Sequence, residues 1–189
     1  SGRNSGVLHA GFYYTADSLK AKFTREGNKL MRTYCYENNL KINECQKIVV
    51  AKDESELTSL FELEKRGIKN GVNVKIITEQ ELKEIDSNAK THQYALHSPD
   101  TATVDPTEVN MCIKNEMISK GLVFYFNEGY HSRIDINTIK TTKGRIITAG
   151  KIINAVGLYA DKIAKDFGFS KDYTIIPFKG IYLKYTLTD

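Results

Sequence analysis

The sequence has no G-x-G-x-x-G run anywhere in its 189 residues, so the glycine fingerprint of a dinucleotide-binding βαβ unit is missing. Cysteine is scarce. Cys35, Cys45 and Cys112 form neither a C-x-x-C pair nor an even-numbered framework, which argues against a disulfide scaffold and for reduced thiols used as small apolar residues. His9, His92, His97 and His131 show no H-x-x-x-H spacing, so no metal site is expected. The longest apolar stretches, such as "KIINAVGLYA", are too short and too polar to span a bilayer. No secretory leader is recognisable. The 27 basic and 23 acidic residues leave a net charge of +4, but no run of Lys and Arg is dense enough for a nucleic-acid arm. A soluble, cytoplasmic protein with no nucleic-acid partner is expected. Its mild positive balance suits small anions and permits peripheral contact with the inner face of an anionic membrane.

Hydrophobic residues make up 41% of the chain and charged residues 26%, the balance of a core-forming protein of one domain or slightly more. Residues 15–38 read as a helix, with Leu19, Phe23, Leu30, Met31 and Tyr34 at three- and four-residue steps and Thr15 or Asp17 as its cap. "KIVVA" reads as a buried strand. The next helix, "DESELTSLFELEKRG", has Asp53 and Glu56 at capping-box spacing and Leu57, Leu60 and Phe61 on one face. "VKIIT" is a strand, "EQELKEID" a short helix, and "HQYALHSPDTATVDP" strand and loop. Pro106 opens a helix through Lys120 with Val109, Cys112, Ile113 and Met117 inward. "LVFYF", "SRIDIN", "TIKTT" and "RIITAGKIINAVG" read as strands, "LYADKIAKDFG" as a helix closed by Gly168, and "TIIPFKGIYLKYT" as one or two final strands. Helices and strands alternate before strands cluster, which places the fold between α/β and α+β.

Three stretches carry possible chemistry. In "SGRNSGVLHAGFYY", the glycines allow close backbone approach, Ser1, Asn4 and Ser5 offer donors, Arg3 presents a guanidinium fork, and His9 titrates near neutrality. A plain surface loop has the same composition. In "KIINAVGLYADKIA", a strand turns through Gly157 directly into a helix, a common approach to a nucleotide. Tight strand–helix packing asks for the same glycine. In "IIPFKGIYLKY", Lys179 beside Gly180 and Tyr182 suits an anionic substrate, and an exposed strand face would look alike.

The order of these motifs closely resembles one family. "SGRNSGVLHAGFYY", "SLKAKFTREGNKLMRTYCYENN", "KIVVA", "SPDTATVD", "IINAVGLYADKIA" and "IPFKGIYL" follow one another as in the FAD-dependent L-2-hydroxyglutarate oxidases and dehydrogenases of the D-amino-acid-oxidase-like superfamily. The resemblance implies an FAD-binding domain interleaved with a mixed-sheet substrate domain. Residues 1–45 and 106–170 would belong to the FAD domain. Residues 46–105 and the returning strands at 171–189 would belong to the substrate domain. It implies oxidation of a small 2-hydroxy acid, most closely the dicarboxylate L-2-hydroxyglutarate, to a 2-oxo acid. Ser1, Gly2, Arg3, Asn4, Ser5 and Gly6 would wrap FAD, Tyr130 would pass its adenine, and Ala155 and Gly157 would bring backbone to it. His9 would be the base or a donor facing the flavin, with Tyr13, Tyr14 and Lys179 on substrate carboxylates.

Two departures bear on the substrate. Ala102 stands where the family has Gly, and Lys179 and Ile181 stand where it has Arg and Glu. Glycerol 3-phosphate or an amino acid stays open as the substrate class. The family's glycine fingerprint lies upstream of the opening loop, and a second flavin-contacting stretch follows its "PFKG"-like strand. The chain is therefore expected to be an internal piece of an enzyme that passes electrons to oxygen or a quinone. Cut this way, it would self-associate through exposed edges, or act as an inert or protein-binding module unable to hold flavin.

Overall fold

The computed structural model describes residues 4–181. It divides into two compact units, one ending at Leu122 and one starting at Val123.

In the first unit, β1 (Val7–Leu8) leads through a loop to α1 (Leu19–Glu37). The cap of α1 is Ser18, whose hydroxyl accepts from Ala21 N at 3.1 Å, not Thr15 or Asp17. Asp17 is in the left-handed region at φ 64°, while Ser18 has the extended backbone that an N-cap needs. The face of α1 that enters the protein is Ala21, Asn28 and Cys35. Leu19, Phe23 and Leu30, whose spacing marked the helix, are 70%, 62% and 71% exposed. Small and polar residues line the buried face because the backbone of the opening loop runs close against it, through hydrogen bonds described below.

The principal core surrounds an antiparallel sheet of order β3-β5-β4, from β3 (Lys47–Val50), β4 (Lys75–Thr78) and β5 (Tyr94–Ser98). Its register sets Lys47 opposite Ser98 and Val49 opposite Leu96 on one face, with Ile48 opposite His97 on the other. Alternation along the strands then sorts two clusters. Leu96, with Val49, Ile76 and Tyr94, packs under Ala10, Phe12, Leu60, Val72 and Val74. Ile77 and Ala95 pack with Leu82 and Ile48 on the reverse side. Leu60 comes from α2 (Glu54–Lys69) and Leu82 from α3 (Glu79–Ile85), so the sheet lies between two helices. In α2, Asp53 caps by accepting from Ser55 N at 3.0 Å, and Glu56 reaches back to Lys52 N at 2.8 Å. The full reciprocal box occurs at α3, between Thr78 and Glu81.

A second small antiparallel sheet has the order β1-β6-β2, with β2 at Ile42–Asn43 and β6 at Ala102–Val104. It leads into α4 (Pro106–Ser119), capped by Asp105 with proline in its first turn. The second unit holds the meander β7 (Tyr130–Arg133), β8 (Thr138–Thr141) and β9 (Ile146–Thr148), then a 3-10 turn (Gly157–Tyr159) running into α5 (Ala160–Asp166). All strand pairs among the described residues are antiparallel.

Three segments expected as strands form none among the described residues, and the end of the last, beyond residue 181, lies outside them. Residues 122–126, 151–156 and 174–181 form no ladder, although their apolar, β-branched composition suits one. A strand exists only with a hydrogen-bonded neighbour, and none of these segments has one among the described residues. Within the described residues no helix is long and apolar enough to cross a membrane.

Candidate functional site

The loop at residues 4–14 is held from three directions. At its start, Asn4 Oδ1 accepts from Gly6 N at 2.8 Å, and Gly6 O accepts from Val104 N at 2.9 Å. Gly6 has φ 68°, and a Cβ there would collide with the Val104 carbonyl oxygen. Only glycine fits that backbone at that spacing. In its middle, the buried Asn28 of α1 donates through Nδ2 to Leu8 O (2.9 Å), His9 O (3.3 Å) and Asp100 O (3.0 Å). Its Oδ1 accepts from Arg32 Nε at 3.1 Å. At its end, Asn70, the C-cap of α2, donates to Gly11 O (3.2 Å) and Tyr14 O (3.0 Å). Arg66 Nη1 donates to Tyr13 O at 3.0 Å. Phe12, 1% exposed, anchors the segment in the core between them.

This clamp leaves the side chains of His9, Tyr13 and Tyr14 unspent on backbone positioning. His9 joins Asn4, Ser5, Gly6, Val104 and Asn110 around a cavity of about 420 Å³. The residue is exposed overall, yet its imidazole pKa lies below the ordinary value, first through desolvation by the surrounding protein and then through the charge of Lys47. The ring is therefore neutral at physiological pH and able to accept a proton. The ammonium of Lys47 also sits 4.8 Å from the centre of the Tyr13 ring, and that of Lys20 sits 4.5 Å from the Tyr14 ring. On the reverse face of the sheet, His97 lies across the ladder from Lys75. Its pKa is lowered by burial and then by that lysine.

The remaining candidates lie in the second unit. Gly157 has φ 63°, and a Cβ there would meet nothing within 4 Å, so its backbone is open to a ligand. Ala155 is exposed, and Asn154 Nδ2 braces the turn by donating to Ala160 O at 2.8 Å. Tyr130 donates its hydroxyl to Asp166, and its pKa is pushed up to about 12 by burial and then by that bond. Its ring lies 6.3 Å from Phe167. The phenol is thus committed, leaving only its ring for a ligand. Lys179 is exposed. Ser1, Gly2, Arg3 and Tyr182 lie outside the described residues.

The structure thus brings together Asn4, Ser5, Gly6 and His9 around one cavity, and sets Lys47 over the Tyr13 ring. Lys47, Asn28 and Asn70 were not anticipated from the sequence. The mid-helix Asn28 was a visible signal, because asparagine is a poor helix former that competes for backbone hydrogen bonds.

In the first unit Asn4 and Ser5 set small polar groups at a cavity wall, and in the second Gly157 leaves its backbone open at a turn into a helix, each a feature that suits a dinucleotide. Comparison with known proteins agrees. The chain is 32% identical over 191 residues to an L-2-hydroxyglutarate dehydrogenase of Salmonella houtenae, covering 97% of the chain and 44% of that protein. It is 31% identical over 198 residues to the mitochondrial L-2-hydroxyglutarate dehydrogenase of Homo sapiens, covering 97% of the chain and 42% of that protein. The chain thus spans less than half the length of these relatives. Its fold is shared with the L-alpha-glycerophosphate oxidase of Mycoplasma pneumoniae, solved with FAD bound, at a TM-score of 0.73 and 23% identity over 87% of this chain and 46% of that one. The family model for FAD dependent oxidoreductases matches residues 1–189, so the chain belongs to the FAD-dependent oxidoreductase family.

Proposed function

We propose that this chain is the substrate-facing and partly flavin-facing portion of an enzyme that oxidises L-2-hydroxyglutarate to 2-oxoglutarate. One observation carries the reading: the clamped loop sets a neutral His9 in the wall of the 420 Å³ cavity beside Gly6. FAD, when bound, supplies the two-electron acceptor for the substrate hydride. The chain's own residues bind, orient and deprotonate. His9 accepts the proton of the substrate hydroxyl, and its lowered pKa keeps the accepting lone pair free at neutral pH. The phenols of Tyr13 and Tyr14 and the ammonium of Lys179 are offered to substrate carboxylates, whose fixation aligns the reacting C–H bond. Ser1, Gly2, Arg3, Asn4, Ser5 and Gly6 are assigned to FAD, as are the Tyr130 ring and the backbone of Ala155 and Gly157.

The experiment is a flavin titration of the protein followed by anaerobic addition of L-2-hydroxyglutarate, its D-enantiomer, glycerol 3-phosphate and an L-amino acid. Bleaching of bound flavin by the L-hydroxy acid alone supports the reading. Bleaching by glycerol 3-phosphate or the amino acid instead reassigns the substrate. The absence of flavin binding makes the 189-residue chain a module that cannot hold the cofactor by itself, the second reading favoured by the unpaired segments 122–126 and 151–156.

A further inference from the structure

One side of α1 carries a row of cations. Lys22, Arg25, Lys29 and Arg32 follow at steps of three and four residues, so they leave the helix on one face. The last three border a cavity of about 190 Å³ whose lining includes the buried, apolar Ala10 and Val72. Its two guanidinium groups are anchored apart. Arg25 Nη1 donates to Asn70 O at 2.8 Å and lies over Gly71, where a Cβ would come within 2.7 Å of it. Arg32 donates through Nε to Asn28 Oδ1 at 3.1 Å and through Nη2 to Asp100 O at 2.9 Å. These anchors stand two turns apart, about 10 Å along the helix. Of five N–H groups each, Arg25 spends one on the protein and Arg32 three. Lys29, between them, has no hydrogen bond or ion pair among the described residues. Against these three cations the described lining sets one acidic residue, Asp100. Glu44, which pairs with Arg32, stands outside it, and Glu26 reaches Arg25 only at 4.0 Å.

Other cations near the loop lack this setting. In the adjoining hollow Lys69 is taken by Asp17 at 3.0 Å, which leaves Lys22 with Arg25 alone. Lys20 and Lys47 lie over tyrosine rings and border neither space. Two fixed guanidinium groups with apolar surface between them select two oxyanions joined by a short hydrocarbon spacer. A single phosphate spans only one end. We propose that this cavity binds a short dicarboxylate, with one carboxylate on Arg25, the other on Arg32 and Lys29 between them. Among the described residues its lining is separate from that of the cavity His9 borders, and Asn28 joins the two. The Asn28 Oδ1 holds Arg32, while its Nδ2 holds Leu8 O and His9 O. A ligand that fixes Arg32 therefore also fixes the amide that ties down the backbone of His9. The site uses neither flavin nor a substrate hydroxyl, so it stands whatever the enzyme oxidises.

The test follows the backbone amides of Gly71, Val72 and His9 by NMR in the 189-residue chain while glutarate, butyrate or inorganic phosphate is added at constant ionic strength. Glutarate has no hydroxyl to oxidise, so failure of the oxidation reading leaves this result untouched. It should shift Gly71 and Val72 saturably and carry a smaller shift to His9. Butyrate and phosphate should bind at least about 10-fold more weakly, the value of one hydrogen bond to a charged partner. Lys29→Met should weaken glutarate by about the same factor, and Lys29→Arg should restore it to within a few-fold. Arg25→Lys keeps the charge but loses the fork, and should also weaken it. Lys22→Met, an equally exposed cation outside this cavity, should match the wild type. Both lysines lie outside the core, and matching unfolding midpoints guard against a folding defect. No saturable shift with glutarate overturns the proposal. Equal affinity for phosphate overturns the dicarboxylate. Equal losses in Lys22→Met and Lys29→Met reduce the site to diffuse attraction and overturn it as well. A shift at Gly71 and Val72 that leaves His9 unmoved overturns the link through Asn28.

Discussion

The side-chain amide of Asn28 reaches back to the carbonyl oxygen of Leu8 at 2.9 Å, tying α1 to the strand that immediately precedes the proposed base. The same amide serves His9 O and Asp100 O, and its oxygen holds Arg32 Nε. Truncation would leave several backbone acceptors facing a buried gap. Asn28→Ala is expected to lose about 2–3 kcal/mol in chemical denaturation, since each unsatisfied buried group costs on the order of 1–3 kcal/mol. Asn28→Asp keeps the bond to Arg32 but presents oxygens to carbonyls, and should be no better. A loss below about 0.5 kcal/mol, the range of ordinary surface substitutions, would mean that the loop is held without this residue.

Gly6 and Gly157 both have left-handed φ, yet their surroundings separate two roles. A side chain at Gly6 meets the Val104 carbonyl oxygen, whereas one at Gly157 meets open space. Gly6→Ala combines a steric collision with a backbone penalty of about 1–2 kcal/mol, and should destabilise the pairing of β1 with β6. Gly157→Ala carries only the backbone penalty, so its stability should fall by about 1 kcal/mol. If Gly157 admits flavin, that variant should lose FAD affinity out of proportion to its stability. Melting curves read beside flavin titrations test this. Equal flavin affinity in Gly157→Ala and wild type would remove Gly157 from the cofactor site.

Stability should also depend on pH in a window set by two histidines. His9 and His97 have pKa values lowered from 6.5 in the fold, each by burial first and a nearby lysine second. Unfolding restores ordinary basicity, so below 6.5 the unfolded chain binds more protons than the folded one. Their contribution is complete above pH 6.5 and is lost as pH falls through the folded values. This loss precedes that of carboxylates such as Glu44 and Glu81, whose pKa values are lowered from 4.5. Denaturation midpoints between pH 7.5 and 5 should fall in the wild type and flatten in the double variant His9→Gln, His97→Gln. An unchanged slope in that variant would refute the assignment.

The sequence made some of this legible and hid the rest for definable reasons. Short-range chemistry could be read: Asp53 before a periodic run marked α2, Pro106 opened α4, and the β-branched run in "KIVVA" marked β3. Thr15 or Asp17 was read as the cap where Ser18 holds that place, because no local pattern shows that Asp17 takes a left-handed φ. The stripe Leu19, Phe23, Leu30 announced a helix correctly but not which face is buried, since periodicity reports a stripe and not what covers it. "LVFYF" and "KIINA" have strand composition without a paired neighbour. Gly6, His9 and Tyr13 came from motif order. Asn28, Asn70 and Lys47 act on residues far away in sequence, at contacts that no local pattern encodes.

That exposed stripe leads to a last expectation. Leu19, Phe23 and Leu30 lie on one face of α1 at spacings of four and seven residues, with Met31 and Tyr34 half-buried beside them. Gly27, Leu30, Met31, Tyr34 and Ile113 of α4 border an open, largely apolar groove of about 500 Å³. Apolar surface of this extent in contact with water favours association, and each large side chain removed from water contributes about 1.5–3 kcal/mol. The chain should therefore self-associate with a concentration dependence visible in sedimentation velocity. The variant Leu19→Lys, Phe23→Glu, Leu30→Lys should shift it toward monomer while its unfolding midpoint holds, because none of the three side chains reaches the core. A wild type that stays monomeric at high concentration would remove self-association from the account. A variant that loses stability without changing its oligomeric state would show instead that the stripe is packed in solution.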